Sequence, residues 1–443
     1  MTTDSADLSI ERLTEIMVSA GAQRIYVKRL ARNDNSKNQI YLGPGFEAVN
    51  LFPNLKIVAT PGQPQFKAPL SFAWIHADGT REVASGAQLI LYPQYPEVRL
   101  SGFLQGTRTA PSRLMQSREE GRILVLGVDQ SGVVLAHAAP AGSALEQSLR
   151  AVEGKETVGV FFAIPVDGSQ GRNSRERLLA ELSRIHGMGW IRSKRLKSDG
   201  TMGECEAPNC GGYTLEAELG IRPNGFSDPD FLGWELKQHG VTSFEKPPTG
   251  AITLMTPEPT GGYYRVEGPS NFIERFGYPD KRGRPSRWNF GGIHTATRRH
   301  GGTGLMLSVE GFDPGTKKIG DPRGVVALVS ASGEVAASWA FSSLMEHWNR
   351  KHALAAFVPS LVRKQPELSY LFGSPVRLGE VTYFLLFLSA VAEGEVFYDP
   401  GLKLVRGESL KVKRRSQFRI RASRIELLYK RVETCDLDAI PKR

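Results

Sequence analysis

Cysteine is scarce in this chain of 443 residues, which has only Cys205, Cys210 and Cys435. Three cysteines do not provide a disulfide framework, and the Cys205/Cys210 pair lacks two further nearby ligands at the spacing of a tetrahedral zinc site. So few cysteines are expected in a reducing compartment, the cytoplasm.

Long apolar runs are also absent. Residues 381–392 (VTYFLLFLSAVA) are too few to span a bilayer, and we expect a buried element there. Residues 1–20 carry acidic side chains among the apolar ones, which argues against a secretory signal. No membrane partner is therefore expected, and the composition and length indicate a soluble protein of two or three domains.

Positive charge is in excess, because 56 Lys and Arg against 46 Asp and Glu give a net charge of +10. Such a balance indicates a polyanionic partner. The densest basic segment, residues 403–431, alternates basic with apolar side chains. This pattern predicts a strand packed on the core with its basic face outward, and we favour contact with nucleic acid over a solvated tail.

The first part of the chain is rich in strand patterns. Residues 8–20 have helical periodicity and end at Gly21, and short strands separated by Gly, Pro and Asn follow as far as residue 165. The pattern predicts a mostly-β barrel or sandwich with strands at residues 24–30, 40–42, 55–59, 70–76, 88–92, 122–128 and 157–164.

A polar linker is predicted at residues 166–172, between a first domain of residues 1–165 and a second of residues 173–443. The second domain opens on a helix that Asn173 can cap, with Glu176 in capping-box position. Helices and strands then alternate, and another strong helix is predicted around residues 342–356.

The most informative stretch is residues 229–237, PDFLGWELK. On a strand, side chains two apart share a face, so Glu235 and Lys237 point the same way while the alternate side chains can be buried on the other face. Asp230 lies just before the strand. Two carboxylates beside a lysine suit a Mg2+ ion and an attacking water, as phosphodiester hydrolysis requires. The alternative is an amphipathic strand with a solvated charged face.

A helix bearing Glu216, a Gly/Pro/Asn turn and the PD…ExK stretch follow one another in residues 212–237. This compound motif resembles the MvaI/BcnI family of restriction endonucleases, which have the PD-(D/E)XK nuclease fold and are similar to the mismatch-repair nickase MutH. Residues 252–258 (ITLMTPE), 337–352 and 413–420 (KRRSQFRI) match the family as well. The resemblance implies that the second domain is an α/β PD-(D/E)XK nuclease with a MutH/MvaI-like architecture.

The resemblance also gives these residues roles. Asp230 and Glu235 would hold Mg2+ against the scissile phosphate, and Lys237 would orient the attacking water. Glu216 would steer the metal or a water, with a plain helix-surface carboxylate as the alternative.

The side chains expected to contact DNA in the second domain, by reading guanine or by binding phosphate, are Arg414, Arg415, Gln417, Arg419, His294 and Arg298. Arg415, Gln417 and Arg419 are expected on one face of a strand. His294 and Arg298 lie in a glycine-flanked loop that enters a groove or is simply solvated.

The first domain resembles the effector domain of EcoRII through residues 26–34 (YVKRLARND) and 51–53 (LFP). That domain is a DNA-binding pseudobarrel whose two arms grip the major groove. The resemblance implies DNA contacts from a polar loop and from a second arm near residues 106–118, and the residues concerned are Lys28, Arg32, Asn33, Asp34, Lys37, Gln39, Arg108 and Arg113.

Together the two resemblances imply a Type IIE restriction endonuclease of the prokaryotic cytoplasm that cuts double-stranded DNA at 5′-CC(A/T)GG. Its nuclease domain would use Mg2+, its first domain would bind a second copy of the site as an allosteric effector, and it would act as a monomer. Two alternatives stay open: a MutH-like repair nickase, and a sequence-specific DNA-binding regulator with a vestigial nuclease centre.

Overall fold

The computed structural model describes residues 8–32, 34, 39–44, 46–150, 157–164, 166, 174–222, 230–284, 286–407 and 410–440. The chain divides into two compact units, Met1–Arg175 and Glu176–Arg443. Most of the predicted linker, the Asn173 cap and Pro229 lie outside the described residues. Among the helices of the described residues, none is long and apolar enough to cross a membrane.

The first unit is mostly β, as predicted. Its helices are α1 (Ile10–Ser19), α2 (Ser112–Gln116) and α3 (Ala144–Leu149), with a 3-10 turn at Glu47–Leu51. Its strands are β1 (Arg24–Leu30), β2 (Gln39–Pro44), β3 (Val58–Ala59), β4 (Phe66–Pro69), β5 (Phe72–Ile75), β6 (Arg81–Val83), β7 (Gln88–Tyr92), β8 (Glu97–Ser101), β9 (Arg122–Val128), β10 (Val134–Ala139), β11 (Thr157–Val158) and β12 (Phe161–Ile164).

Two sheets build this unit, one in the order β11-β12-β1-β9-β10-β5-β6 and one in the order β2-β8-β7-β4-β3. Helix α1 buries Leu13 and Met17 against the first sheet and ends before Gly21, whose φ of 103° suits glycine. The helix and its end were predicted. The strand predicted at residues 157–164 is two short strands instead, because Gly159, with φ of 60°, turns the chain between them.

The second unit mixes helices and strands. Its helices are α4 (Ser174–Gly187), α5 (Cys210–Glu218), α6 (Tyr263–Phe276), α7 (Phe341–His352) and α8 (Phe384–Ala392), with a 3-10 helix at Ala422–Leu428. Its strands are β13 (Trp190–Arg192), β14 (Lys194–Leu196), β15 (Met202–Glu204), β16 (Glu235–Gly240), β17 (Ala251–Met255), β18 (Tyr278–Pro279), β19 (Arg287–Gly291), β20 (Met306–Glu310), β21 (Phe312–Asp313), β22 (Lys318–Ile319), β23 (Val325–Val329), β24 (Val335–Ala340), β25 (Leu354–Arg363), β26 (Ser369–Phe372), β27 (Val376–Glu380), β28 (Val396–Tyr398), β29 (Gly401–Val405), β30 (Lys411–Lys413), β31 (Phe418–Arg421) and β32 (Arg431–Cys435).

The central sheet of this unit has the order β13-β26-β25-β27-β32, with β16 pairing β25 in parallel. Helix α7 runs directly into β25, so the helix predicted around residues 342–356 ends at His352. Residues after it become strand because Ala355 and Ala356 pair with Glu235 and Leu236. Helix α8 is the buried element predicted at residues 381–392.

The single basic strand predicted within residues 403–431 is wrong. The chain forms β30 beside β29, leaves strand geometry at residues 414–417, and resumes as β31 between β17 and β28. It therefore changes sheets in the middle of the basic segment.

Cys205 and Cys210 form a disulfide, which the sequence analysis did not assign to them. The bond ties the segment ahead of α5 to the first residue of that helix. Cys435 is free and buried.

Candidate active site

Strand β16 carries the acid and the lysine of the predicted motif. Trp234, just before the strand, and Leu236 are buried in the core of the second unit, with 1% and 8% of their surface exposed. On the opposite face Lys237 Nζ lies 2.7 Å from Glu235 Oε1. The predicted alternation along the strand is therefore confirmed.

A tight turn brings Asp230 back to this strand. Phe231 and Trp234 exchange backbone hydrogen bonds of 2.9 and 2.8 Å, and the two residues between them, Leu232 and Gly233, have φ of 50° and 89°. Two positive φ angles are typical of a type I′ hairpin turn. As a result Asp230 Oδ2 accepts a hydrogen bond of 2.8 Å from the backbone N–H of Leu236.

Glu216 faces the same two carboxylates from α5. Burial, and then the nearby Asp230 and Glu235, raise the pKa of Glu216 to about 7. Burial and Glu235 likewise raise the pKa of Asp230 to about 6. Glu216 is thus part of a mutually repelling group of acids, which distinguishes it from an ordinary carboxylate on a helix surface.

Lys351, near the end of α7, belongs to this cluster although the sequence analysis did not propose it. Its Nζ lies 3.6 Å from Glu235 Oε1, and 34% of its side chain is exposed. Burial opposes ionisation of Glu235, but Lys237 and Lys351 outweigh it and hold the pKa of Glu235 below its usual value. The sequence did contain a clue to Lys351, because this residue lies in the segment 337–352 that resembles the family.

The acid cluster fits a divalent cation. Glu235 is 2% exposed, and its Oε2 is buried without a hydrogen-bond partner. An unpartnered buried carboxylate oxygen beside Asp230 and Glu216 is the type of ligand that Mg2+ prefers. No three His, Cys, Asp or Glu side chains of the described residues converge as a complete metal cage. Water and phosphate oxygens would therefore supply the other ligands.

The side chains predicted to read DNA in the second unit are differently placed. Arg298, Arg414 and Arg415 are exposed. Gln417 is only 7% exposed, and Arg419 binds Asp399 Oδ2 at 2.6 Å as well as the carbonyl of residue 251 at 2.7 Å. Arg415, Gln417 and Arg419 do not share the predicted strand face, because residues 414–417 are not a strand.

His294 is buried. Both predicted alternatives for this residue, insertion into a DNA groove and exposure to solvent, are therefore wrong. Its Nδ1 donates to the carbonyl of Gly292 at 2.9 Å, and its Nε2 accepts from the Thr303 hydroxyl at 2.8 Å. Its ring stacks on Phe290. These contacts fit a neutral imidazole that holds the loop to the core.

Acid should destabilise the second unit through His294. Burial, and then His300, lower the pKa of His294 to about 4. At His294 the unfolded chain therefore binds more protons than the folded one between pH 6.5 and pH 4, and the stability that this residue contributes falls as pH falls through that window. We expect His294 to account for about 3 kcal/mol of this loss. Urea unfolding at pH 7 and pH 4 should show a smaller decline for His294→Gln; equal declines would contradict the assignment.

In the first unit, the predicted polar loop is partly core. Lys28 lies on β1, is 5% exposed, and forms a buried ion pair with Asp34, which is 6% exposed. Asp34 also accepts hydrogen bonds from the N–H groups of Ala31 at 2.8 Å and Tyr41 at 3.1 Å. The prediction that Lys28 and Asp34 face DNA is therefore wrong, because the two charged groups are buried and pair with each other inside the loop.

The other residues of this loop differ among themselves. Arg32 is exposed, and Gln39 is half-buried, with its amide oxygen accepting from Arg99 at 3.4 Å. Asn33 and Lys37 lie outside the described residues.

The second predicted arm has exposed arginines at Arg108 and Arg113. Its backbone is held by the Glu82 carboxylate of β6, which accepts from the N–H groups of Arg108 at 2.5 Å and Thr109 at 2.7 Å. The Thr109 hydroxyl donates to the same carboxylate. Glu82 was not proposed from the sequence, since its partners lie in another segment of the chain.

Comparison with known proteins assigns the second unit to a class of site-specific nucleases. The family model of the MvaI/BcnI restriction endonuclease family matches residues 179–429, more than half of the chain. The chain therefore belongs to the MvaI/BcnI restriction endonuclease family.

Two solved structures are similar to this chain. One is the complex of restriction endonuclease MvaI with its cognate DNA substrate, at 17% identity over 60% of this chain and 99% of that chain, with a TM-score of 0.45. The other is MvaI in the absence of DNA, at 15% identity over the same shares, with a TM-score of 0.34. No curated protein matches.

Proposed function

We propose that the second unit is a PD-(D/E)XK nuclease that hydrolyses double-stranded DNA at 5′-CC(A/T)GG with Mg2+. Family membership supports the nuclease activity. The sequence resemblance to enzymes that cut CC(A/T)GG supports the choice of site. The observation that carries the proposal is the convergence of Asp230, Glu235 and Lys237, with Glu235 Oε2 left without a partner.

The residues of this chain have separable tasks in that reaction. Asp230 and Glu235 would hold Mg2+, which when bound supplies positive charge for the phosphate and acidifies water. Lys237 would orient the attacking water and offset the charge developing on the phosphate. The water oxygen bonds to phosphorus, the bond to the 3′ oxygen breaks, and that oxygen takes a proton from solvent. Glu216 would steer the metal or a nearby water, and the proton that the attacking water loses passes to solvent.

We infer that the first unit is an effector domain of the EcoRII pseudobarrel type, which binds a second copy of the site and makes the enzyme a Type IIE monomer. Its mostly-β fold, the exposed Arg108 and Arg113 and the anchored arm that carries Arg108 support this role. The sequence of this unit has no acid pair in a nuclease pattern, so the proposed role is binding without cleavage.

Cleavage of plasmids with one or two sites tests the effector role. We expect faster cutting of the two-site plasmid, and a change in the one-site rate when a cognate oligonucleotide is added in trans. Equal rates, unchanged by the oligonucleotide, would remove the effector role and leave the nuclease. Nicking that never proceeds to linear DNA under excess enzyme would favour the MutH-like alternative.

Glu82→Gln should weaken the binding of DNA to the first unit, although the substitution removes a negative charge and so adds no repulsion to DNA. The N–H groups of Arg108 and Thr109 bond different oxygens of Glu82, and an amide would turn an NH2 group towards one of them. The arm would then have to be ordered at the expense of binding. We expect a loss of about three- to tenfold in affinity at the effector site. Calorimetric titration of the uncleaving Lys237→Ala protein with cognate duplex measures it.

Glu11→Gln, an exposed change on α1, is the matched control and should leave both binding events as they are. Arg108→Ala separates two failures. If Arg108→Ala weakens effector binding and Glu82→Gln does not, the anchoring role is wrong; if neither matters, the arm has been misplaced.

A further inference from the structure

The sheet β18-β19-β29-β30 in the second unit has two unlike faces. One face is apolar: Phe290, Leu402 and Leu404 are buried, and the Phe290 ring lies 4.6 Å from that of Phe272 on α6. The other face bears polar and basic side chains, because side chains alternate along each strand. This sheet lies outside the acid cluster described above.

Register places the cations of the second face in rows across the strands. One row joins Tyr278, Asn289, Lys403 and Lys413. The next row joins Arg287, Val405 and Lys411. On the other side, Gly291 pairs with Gly401, whose N–H donates to the carbonyl of Arg415 at 2.8 Å.

Placing Lys403 directly opposite Lys413 costs stability, because like charges on paired strands repel. Burial, followed by Arg287, Lys413 and Arg415, lowers the pKa of Lys403. Among the described residues, no carboxylate forms an ion pair with Lys403, Lys411, Lys413 or Arg415. The face is thus left positive by the fold itself, which an anion from outside would relieve.

Arg287 is the exception, because it pairs with Asp280, the acid that directly follows β18. Its Nε lies 3.5 Å from Asp280 Oδ1, and the Asp280 side chain is 8% exposed. Asn289 also donates to Asp280 at 3.0 Å. Asp280 therefore pairs with Arg287 and also attracts the half-buried Lys403, whereas the exposed Lys411 and Lys413 have no carboxylate partner.

The positive surface continues beyond the strands. The turn between β18 and β19 exposes Lys281 and Arg282, which line a cleft of about 250 Å³ together with Lys403. Asp280, Gly291 and Gly401 also line the cleft. A side chain at position 401 would strike Arg415, since its Cβ would come within 2.7 Å of Arg415 Nε. Glycine there lets the guanidinium lie over the sheet.

We propose that this face (Lys281, Arg282, Lys403, Lys411, Lys413 and Arg415) binds successive backbone phosphates of the duplex that the second unit cuts. Its cations are spread over neighbouring strands about 4.8 Å apart, which suits a line of phosphates better than one small anion. The contacts would be independent of sequence and strongly dependent on salt. The inference rests on the proposed nuclease function and adds a second DNA-binding region to it.

The double variant Lys403→Gln/Lys413→Gln tests the inference, because it should weaken DNA binding without weakening the fold. DNA affinity should fall about tenfold at moderate salt, and the slope of log Kd against log salt should shrink by about 1.8, or 0.9 for each phosphate that is no longer neutralised. Thermal stability should be unchanged or higher, since the opposed charges are gone. Binding is measured with Ca2+ in place of Mg2+, on duplexes with and without CC(A/T)GG.

Lys317→Gln/Lys364→Gln is the matched control, since it removes the same charge from exposed positions outside this sheet. It should leave both the affinity and the salt slope nearly unchanged. Equal losses in the two variants, or none in the first, would overturn the inference. If the unaltered protein neither binds nor cuts DNA, the nuclease proposal itself is at fault; normal cutting with an unaffected double variant removes only the phosphate-binding face.

Discussion

Lys237→Ala should lower the single-turnover rate of DNA cleavage by about a thousandfold or more while duplex affinity changes only a few fold. Lys237 lies 2.7 Å from Glu235, with 14% of its side chain exposed, and in the proposed reaction it acts where the phosphate and water meet. In the proposed function other residues read the bases, which is why binding should survive. Single-turnover cleavage and equilibrium binding of the same duplex measure the two quantities.

Lys351→Ala is the informative comparison for this prediction. Lys351 is farther from Glu235, at 3.6 Å, and more exposed, at 34% of its side chain, so solvent screens its charge more. We expect a loss of about tenfold, well short of that for Lys237→Ala. Similar losses in both variants would mean that only the positive charge near Glu235 matters, and full activity in Lys237→Ala would show that the centre has been misplaced.

Removing divalent metal should stop cleavage completely, and returning Mg2+ should restore it. Metal should also stabilise the fold, because in the proposed site it would bind Asp230 and Glu235 only when they converge. At one hundred times its Kd, a ligand specific to the folded state adds about 2.7 kcal/mol. Thermal melts of the second unit's transition with and without Mg2+ should record this rise, a readout that does not depend on activity.

Asp230→Asn should abolish most of that Mg2+-dependent rise, since it removes one anionic ligand. Glu267→Gln, an exposed change on α6, should leave the rise intact. A rise in melting temperature that is the same in all three proteins would show that Mg2+ binds elsewhere, even if chelation stops cutting.

Local periodicity accounts for what could be predicted about the site. The shared face of Glu235 and Lys237 follows from strand geometry alone, whereas the helix that bears Glu216 was expected as part of the family-like compound motif. The return of Asp230 depends on Leu232 and Gly233 both adopting positive φ, of which only the glycine is suggested by sequence.

Long-range pairing accounts for what could not be predicted. Lys351 reaches Glu235 because β16 lies parallel to β25, the strand that follows α7, and no local pattern encodes that neighbour. The Cys205–Cys210 bond and the sheet change at residues 414–417 are likewise decided by spatial partners.

Polar residues misled the sequence analysis where they satisfy one another internally. Lys28 and Asp34 look like surface charges, yet they form a buried pair. His294 looks like a loop residue, yet both ring nitrogens have partners and its ring stacks in the core. A sequence pattern shows which side chains are polar, but it does not show whether the fold supplies a hydrogen-bond or ion-pair partner. Buried pairs of polar groups are therefore not predicted from the pattern.

Sequencing of the DNA ends after digestion with Mg2+ tests the central claim most directly. DNA of known sequence is treated in parallel with the unaltered protein and with Lys237→Ala. We predict breaks in both strands at every 5′-CC(A/T)GG and at no other sequence, and no breaks with Lys237→Ala. Breaks that ignore this sequence would contradict the proposed site, and undiminished cutting by Lys237→Ala would contradict the proposed catalytic centre.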